Sequence, residues 1–418
     1  MYMFPRNVLL FPLKISLIFL VFTEVFFFVG PIDFEIENPP LITIFLVICN
    51  IALYLGYVQG VRRSSISNYN IKLNSISIFL VIALFLKIYE LSYIWSGHGI
   101  PLTLNSVLNA IFDPGKAYYS ESRGFSNGSG LMRLLVAPVT WAAIPFGVFY
   151  WKQAKLYLKL LILSIIIVEI ITWFGIGVRK GIFDVIIIIP MLYIAKNIIV
   201  ITNKSKRRKL GLIVFGSFLL FLVYFVFSNM SRGGKDMSDF GDMLIHRTPK
   251  SSYSDNLPPW LFLSLMSIED YLCQGYHALD KALDFGIITP VPFSSNWFSI
   301  ELSKIFLSTN SLQDTYLDLL HAKVGIDPMI NWHSLYVWLA NTYTFLGVPF
   351  IIYIIGYYFA QSWKDAIYGR NPIAYPLLAL FIIMVFYAYA NNQVFSTLFT
   401  PFWFWFIFYH MTKKTLKL

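Results

Sequence analysis

The sequence predicts an all-α polytopic membrane protein with about ten transmembrane helices and one large external loop. Hydrophobic residues make up 57% of the 418 residues and charged residues only 13%, whereas a soluble domain carries about 25% charged residues. The mean hydropathy is +0.65, and apolar runs of about 20 residues, long enough to cross a bilayer as helices, recur along the whole chain. Transmembrane β-strands are only about 10 residues long and alternate in polarity, so a β-barrel is excluded.

Each apolar run is predicted to form one span. Residues 1–229 hold the first seven spans and an external loop at 96–130, residues 230–332 form the large external loop with amphipathic helices, and residues 333–418 hold the last three spans and a basic tail. The first run follows Arg6 and lacks a small-residue cleavage site, so we expect it to remain as a helix. The predicted spans are Leu9–Val29, Leu41–Gly60, Ile76–Trp95, Leu131–Trp151, Tyr157–Gly175, Ile182–Ile201, Leu210–Ser228, Leu335–Phe359, Ile373–Ala390 and Phe395–Met411.

The basic residues lie in alternate connections. The net charge is +10, and the blocks "VRRSS", "KSKRRK" and "KKTLKL" all fall on one side of the predicted spans, whereas the short loops "PIDFEIENPP" and "NNQ" on the other side contain no Lys or Arg. Short loops rich in Lys and Arg face the cytoplasm. The pattern therefore predicts that both termini are cytoplasmic, and it makes nucleic acid an unlikely partner class.

Two short basic clusters do not fit this rule. Arg179 and Lys180 lie in a tight external turn, and Arg232 and Lys235 follow closely after the end of a span. The large loop adds Arg247 and Lys250. Because Lys and Arg otherwise lie in the predicted cytoplasmic loops, these cations at the predicted outer face indicate a specific role.

Five ionisable residues fall inside predicted spans. With the orientation above, each lies in the outer half of its helix, which indicates a cavity open to the outside face rather than a path through the membrane. Glu169 and Asp184 are alternatively structural partners of Arg179 and Arg232. The five residues are Glu24, Lys87, Glu90, Glu169 and Asp184.

The large loop contains predicted helices and a distinctive tip. Leu265, Ile268 and Leu272 recur at helical spacing, with Glu269 and Asp270 between them, which predicts an amphipathic helix near the membrane interface. The tip "PVPFSSNWF" is rich in Pro and aromatic residues. It is either a turn with a carbohydrate-stacking surface or a set of interfacial anchors.

A cluster of Arg and Lys at headgroup level suits a diphosphate. Arginine binds phosphate oxygens bidentately and keeps its proton, so it can stabilise a departing lipid diphosphate without a metal. The two cysteines, Cys49 and Cys273, show no metal-ligand spacing. His333, just before the eighth span, is the best-placed candidate base for a sugar hydroxyl; the alternative is a helix-start histidine hydrogen-bonded to a loop.

The stretch "NWHSLYVWLANTYTFLGVPF" resembles the motif His-Asn/Ser/Gln, nine residues, Gly-x-x-Gly that follows the large periplasmic loop of O-antigen ligases and related polymerases. Here the motif reads His333-Ser334, nine residues, Thr344-x-x-Gly347, with Thr344 in place of the first glycine. The stretches "GVRKG" and "SNMSRGGK" are similar to the arginine turns of the oligosaccharide repeat-unit polymerase (Wzy) family.

This resemblance implies a membrane glycosyltransferase with a GT-C-like fold in the bacterial inner membrane. It would join undecaprenyl-diphosphate-linked oligosaccharides on the periplasmic side, without a metal or other cofactor, with membrane lipids around it and a chain-length regulator as an expected partner. Arg179 and Arg232 would hold the diphosphate, and His333 would activate the acceptor hydroxyl or bind the second diphosphate. The residues implied to assist in substrate binding are Lys180, Lys235, Arg247, Glu169 and Asp184.

Two other functions remain open. A ligase that moves glycan to lipid A would share this chemistry, although Thr344 in place of glycine favours the polymerase. A flippase or other transporter should lack the large external loop and show internal similarity between two repeats.

Overall fold

A computed structural model describes residues 5–63, 69, 71–97, 103–112, 127–175, 180–198, 203–233, 247–308, 311–328, 331–368 and 371–412. Almost all of the regular structure is helical. The one exception among the described residues is a two-residue antiparallel pairing of Ile32–Asp33 with Thr248–Pro249. The helices in chain order are α1 Arg6–Leu9, α2 Phe11–Val29, α3 Pro39–Arg62, α4 Leu73–Gly97, α5 Leu104–Phe112, α6 Asn127–Tyr150, α7 Leu156–Gly175, α8 Lys180–Lys196, α9 Lys204–Gly233, α10 Ser251–Ser254, α11 Pro259–Asp284, α12 Trp297–Leu307, α13 Tyr316–Val324, α14 Leu335–Ile367, α15 Ala374–Phe386, α16 Gln393–Thr397 and α17 Phe399–Thr412.

The all-α class is confirmed, and a helix lies in every predicted span. Within the described residues, α2, α3, α4, α7, α9 and α14 are the six helices long and apolar enough to cross a membrane. Their outward side chains are apolar: Ile18 is 71% exposed and Phe85 69%. Such surfaces need a hydrocarbon solvent, because contiguous exposed apolar area on a water-soluble monomer is small. The structure is therefore that of a membrane protein with several spans.

The chain forms two compact units from discontinuous segments. The first unit comprises Met1–Arg63, Asp236–Gln361 and Ile383–Phe399, and the second comprises Ser64–Lys235, Ser362–Ile382 and Thr400–Leu418. Each unit therefore combines predicted spans with chain that lies far away in sequence.

In the first unit, α11 packs against α2. The Tyr276 hydroxyl lies 3.0 Å from the Thr23 hydroxyl, and Cys273 Sγ donates to the Thr23 carbonyl over 3.6 Å. The amphipathic helix predicted from Leu265 and Ile268 is thus a helix, but a different face is buried. Glu269 is fully buried rather than on a polar surface, because its carboxylate accepts a hydrogen bond from the Ile32 N–H at 2.7 Å.

Small residues let α3 and α14 approach each other within this unit. A Cβ added at Gly56 would lie 1.9 Å from the Tyr353 carbonyl oxygen, and one added at Gly60 would lie 2.3 Å from the Tyr357 carbonyl oxygen. Real Cβ atoms do not come this close to a backbone oxygen, so the contact requires glycine at both positions.

Helix α14 is broken at one residue. Thr344 has φ 55° and ψ 166°, which is not a helical conformation. Pro349 lies one turn later and cannot donate a hydrogen bond back along the helix. The segment Leu335–Tyr343 is therefore a short helix of its own, followed by a long apolar one.

In the second unit, α4, α6, α7 and α8 pack together. Gly147 of α6 contacts Ile162 of α7, where an added Cβ would meet the Ile162 side chain at 2.7 Å. Trp405 of α17 donates through Nε1 to the Pro138 carbonyl at 2.9 Å, a carbonyl near a proline-interrupted part of α6. The proline-containing helix α6 is thereby held by its neighbours.

Candidate functional site

Two of the residues predicted to bind substrate lie outside the described residues, namely Arg179 and Lys235. Arg232 is the second-to-last residue of α9, which ends at Gly233. The other predicted residues fall into two groups, with Arg247 and His333 in the first unit and Glu169, Lys180 and Asp184 in the second.

In the first unit, Arg247 is buried and forms an ion pair with Asp270 of α11. The side chain of Arg247 is only 2% exposed and that of Asp270 is 29% exposed. Removing one partner of such a pair would leave an uncompensated buried charge. Arg247 is thus fixed against α11, with its guanidinium matched by a carboxylate.

Lys250 is also satisfied inside the protein. Its Nζ donates to the Gly30 carbonyl at 2.9 Å and to the Phe28 carbonyl at 3.2 Å. These carbonyls end α2, where the helix dipole favours a cation. One cation of the stretch after α9 therefore stabilises the C-terminal end of α2.

One turn along α11 from Asp270, Gln274 fixes the segment that carries His333. Its Oε1 accepts a hydrogen bond from the Trp332 N–H at 2.8 Å, and the Trp332 ring lies 4.3 Å from the Tyr271 ring. The next residue, Gly275, allows close approach, since a Cβ there would lie 2.0 Å from the Tyr389 carbonyl oxygen and 3.0 Å from the Ser334 nitrogen. Arg247 and His333 are thus both positioned by α11.

The His333 ring is buried and its tautomer follows from its contacts. Nδ1 lies 3.0 Å from the Asn331 carbonyl oxygen. A carbonyl only accepts, so Nδ1 carries the proton and Nε2 presents its lone pair. Nε2 is buried and makes no hydrogen bond with the described residues. The histidine therefore offers one buried acceptor atom.

Burial lowers the pKa of His333 to about 4, although the carbonyls of Asn331 and Ile326 and the Asp327 carboxylate offset part of this effect. A neutral imidazole can accept a proton or a hydrogen bond, but it carries no charge to attract a diphosphate. The hydrogen bond between Nδ1 and the Asn331 carbonyl also fits the alternative interpretation of His333, a helix-start histidine hydrogen-bonded to a loop.

Sequence reasoning did not assign a role to Glu269. Burial and, less strongly, the Asp270 carboxylate raise its pKa, the Ile32 N–H and Lys250 lower it, and the resulting pKa is about 8. Its Oε1 makes no hydrogen bond with the described residues. Gly30 makes the approach possible, since a Cβ there would lie 2.1 Å from that oxygen. No spacing in the sequence indicates this contact between residues 30 and 269.

The tip "PVPFSSNWF" is held by Asn341 of α14. The Asn341 amide donates to the Ser294 carbonyl at 3.2 Å and its Oδ1 accepts from the Tyr316 N–H at 3.1 Å. The Asn341 carbonyl accepts from the Val291 N–H at 2.8 Å. Phe293 at the tip is exposed, so one aromatic ring of the tip faces outward from a well-anchored loop.

In the second unit, Glu169 pairs with Lys87, while Arg179 and the Arg232 side chain lie outside the described part of the chain. The Glu169 Oε1 also accepts from Trp173 Nε1 at 2.9 Å. Lys180 pairs with Asp184 at 2.8 Å and lies 5.8 Å from the centre of the Trp173 ring. These contacts form a continuous series that joins all three predicted residues of this unit. The spacing of Lys180 and Asp184, i and i+4 on a helix, could have predicted their pairing.

These ion pairs border a small cavity. Lys87, Glu169 and Asp184 line it together with Thr140 and the backbone at Gly181, and its volume is about 20 Å³, enough for about one water molecule. Charged pairs around a space of this size are a compact polar centre inside an apolar unit.

Comparison with family models, with curated proteins and with solved structures finds no match to this chain.

Proposed function

We propose that this protein is a membrane glycosyltransferase that polymerises undecaprenyl-diphosphate-linked oligosaccharides at the outer face of the inner membrane. The observation that carries the proposal is the conformation of the motif His333-Ser334, nine residues, Thr344-x-x-Gly347. Thr344 has φ 55° and ψ 166°, a region of backbone conformation used almost only by glycine. The family motif has glycine at this position, and this chain keeps the glycine-like backbone there.

The motif also organises its surroundings in a way that supports the proposal. His333 and Thr344 flank the short helix Leu335–Tyr343, whose side chains are mostly buried. One end of this helix is fixed by the Leu335 N–H donating to the Ala388 carbonyl at 2.9 Å, and Asn341 near the other end holds the loop tip. The motif thus joins a buried imidazole to an anchored external loop.

The reaction transfers a glycan between lipid carriers. The acceptor hydroxyl oxygen forms a bond to the anomeric carbon of the donor, and the bond from that carbon to the diphosphate breaks. His333 Nε2 accepts the hydroxyl proton, and Arg179 and Arg232 stabilise the departing diphosphate. Because a base whose pKa is about 4 is weak at neutral pH, stabilisation of the leaving group supplies most of the rate enhancement.

The paired carboxylates of the second unit suit a role beside the arginines. Asp184 and Glu169 form ion pairs with Lys180 and Lys87; in this proposal Arg179, the neighbour of Lys180 in the sequence, binds the diphosphate. Arg247, paired with Asp270, orders the external segment rather than binding phosphate as a lone cation.

The test is glycan ladder analysis in a deletion strain complemented with wild type, Arg179→Ala, Arg232→Ala or His333→Ala. Arg208→Ala, at the opposite end of α9 from Arg232, is the matched control for loss of a cation. We expect wild type and the control to restore long chains, and the three site variants to leave lipid A core with a single repeat unit while the protein stays in the membrane.

Other ladders would overturn the proposal. Naked core with lipid-linked polymer accumulating in the outer leaflet would identify a ligase. Lipid-linked units retained in the cytoplasmic leaflet would identify a flippase. Long chains from Arg179→Ala or Arg232→Ala would remove that arginine from the site.

A further inference from the structure

An amphipathic slot within the second unit lies between α8 and α9. Its volume is about 720 Å³. Its mouth carries Lys152, Lys206 and Lys209, and none of the described residues that line it is acidic. The mouth is therefore positively charged and is complementary to an anion.

Beyond the lysines the slot is apolar. Ile186 and Ile189 of α8 face Ile213 and Val214 of α9 along its length. From Lys206 to Ser217, both of which line the slot, α9 rises roughly 17 Å at 1.5 Å per residue. A cationic mouth joined to an apolar channel of this length matches a phosphate headgroup and the upper part of an acyl chain.

Two features place the mouth at headgroup depth. Helix α8 ends at Lys196 and α9 begins at Lys204, so the lysines lie where these helices leave the apolar layer. Tyr193 lines the slot and is 40% exposed, and Trp151 lies beside Lys152 in the chain and is also exposed. Exposed Tyr and Trp side chains prefer the membrane interface.

We infer that this slot binds an anionic phospholipid, with its phosphodiester against Lys152, Lys206 and Lys209 and an acyl chain between α8 and α9. Basic pockets between helices at the membrane surface bind such headgroups. The inference does not depend on the proposed enzymatic function, because it uses none of the residues of the candidate site.

The experiment is native mass spectrometry of the full chain with phosphatidylglycerol, and with phosphatidylcholine as the neutral probe. Each lysine near an anionic headgroup contributes about fivefold in affinity. Replacing Lys152, Lys206 and Lys209 by Gln should therefore weaken phosphatidylglycerol binding about a hundredfold. The matched control replaces Lys155, Lys204 and Arg208 by Gln, which removes the same charge from the same end of the unit outside the slot.

A second variant tests the channel independently of charge. Val214→Trp fills the half-buried wall of the slot and should release phosphatidylglycerol with all three lysines present. Equal weakening by the control triple, or unchanged binding in Val214→Trp, would overturn the inference. So would preferential displacement of phosphatidylglycerol by undecaprenyl diphosphate, which would make the slot a site for the lipid-linked substrate.

Discussion

Replacing Glu269 by Gln should remove a pH dependence of stability from the first unit. Glu269 is fully buried in α11, its Oε2 accepts from the Ile32 N–H, and its pKa is raised to about 8. Glutamine keeps an oxygen for Ile32 and cannot ionise. The change therefore isolates the cost of charging this carboxyl.

The sign and size of this pH dependence follow from the pKa values of Glu269 in the unfolded and folded states. Between pH 4.5, where the unfolded carboxyl titrates, and about 8, where the folded one does, the folded state holds one proton more than the unfolded state. The free energy of unfolding therefore falls as the pH rises through this window, by about 1.4 kcal/mol per pH unit. The whole loss is several kcal/mol, and it is complete above the folded pKa.

Thermal unfolding of the purified protein in detergent, followed by tryptophan fluorescence from pH 5 to pH 9, measures this effect. Wild type should lose melting temperature steadily as the pH rises, while Glu269→Gln should be flatter and more stable than wild type at pH 9. Asp255→Asn, an exposed acid in the same unit, should follow wild type. If Glu269→Gln keeps the wild-type slope, or if Asp255→Asn removes it equally, the reasoning about Glu269 is wrong.

Three further substitutions test the backbone and loop contacts. Thr344→Gly should be more stable than Thr344→Ala by about 1–2 kcal/mol, because positive φ reverses the usual helical preference for alanine; equal melting temperatures would contradict the kink. Gly275→Ala should destabilise the first unit by about 3 kcal/mol or more, since its Cβ would lie 2.0 Å from the Tyr389 carbonyl oxygen; wild-type stability in a melting assay would exclude that close approach. Asn341→Ala should lower the free energy of unfolding by about 2–3 kcal/mol, because a buried Tyr316 N–H loses its acceptor. Limited proteolysis of this variant should then cut the loop near Ser294. An unchanged digestion pattern would mean that the tip has another anchor.

The helices could be predicted because the local sequence determines each of them. A run of apolar residues indicates a span whatever its neighbours are, and the two ends of α2 and α3 match the predicted Leu9–Val29 and Leu41–Gly60 to within a few residues. The start of α3 is also determined locally, with prolines at its first two positions and Asn38 capping the helix by accepting from the Leu41 N–H. Such signals need no knowledge of the tertiary structure.

The partners of the charged residues were not predictable in this way. Arg247 and Asp270 lie 23 residues apart, and Lys87 and Glu169 lie 82 apart, so their pairing depends on how helices assemble. Among the described residues, Glu169 pairs with the lysine of a neighbouring helix and Asp184 with the i−4 lysine. The arginine partners expected from the sequence, Arg179 and the Arg232 side chain, lie outside the described part of the chain.

The contact between α2 and α11 also sets an order for biogenesis. Thr23 and Tyr276 are separated by 253 residues, so the first helix enters the membrane long before the segment that completes its surroundings has been synthesised. Its buried face has to remain in lipid or in the translocation machinery until α11 has been synthesised. The second unit contains the uninterrupted stretch Ser64–Lys235, and most of its helices can associate earlier. The contact between α2 and α11 therefore forms after much of the second unit has been synthesised.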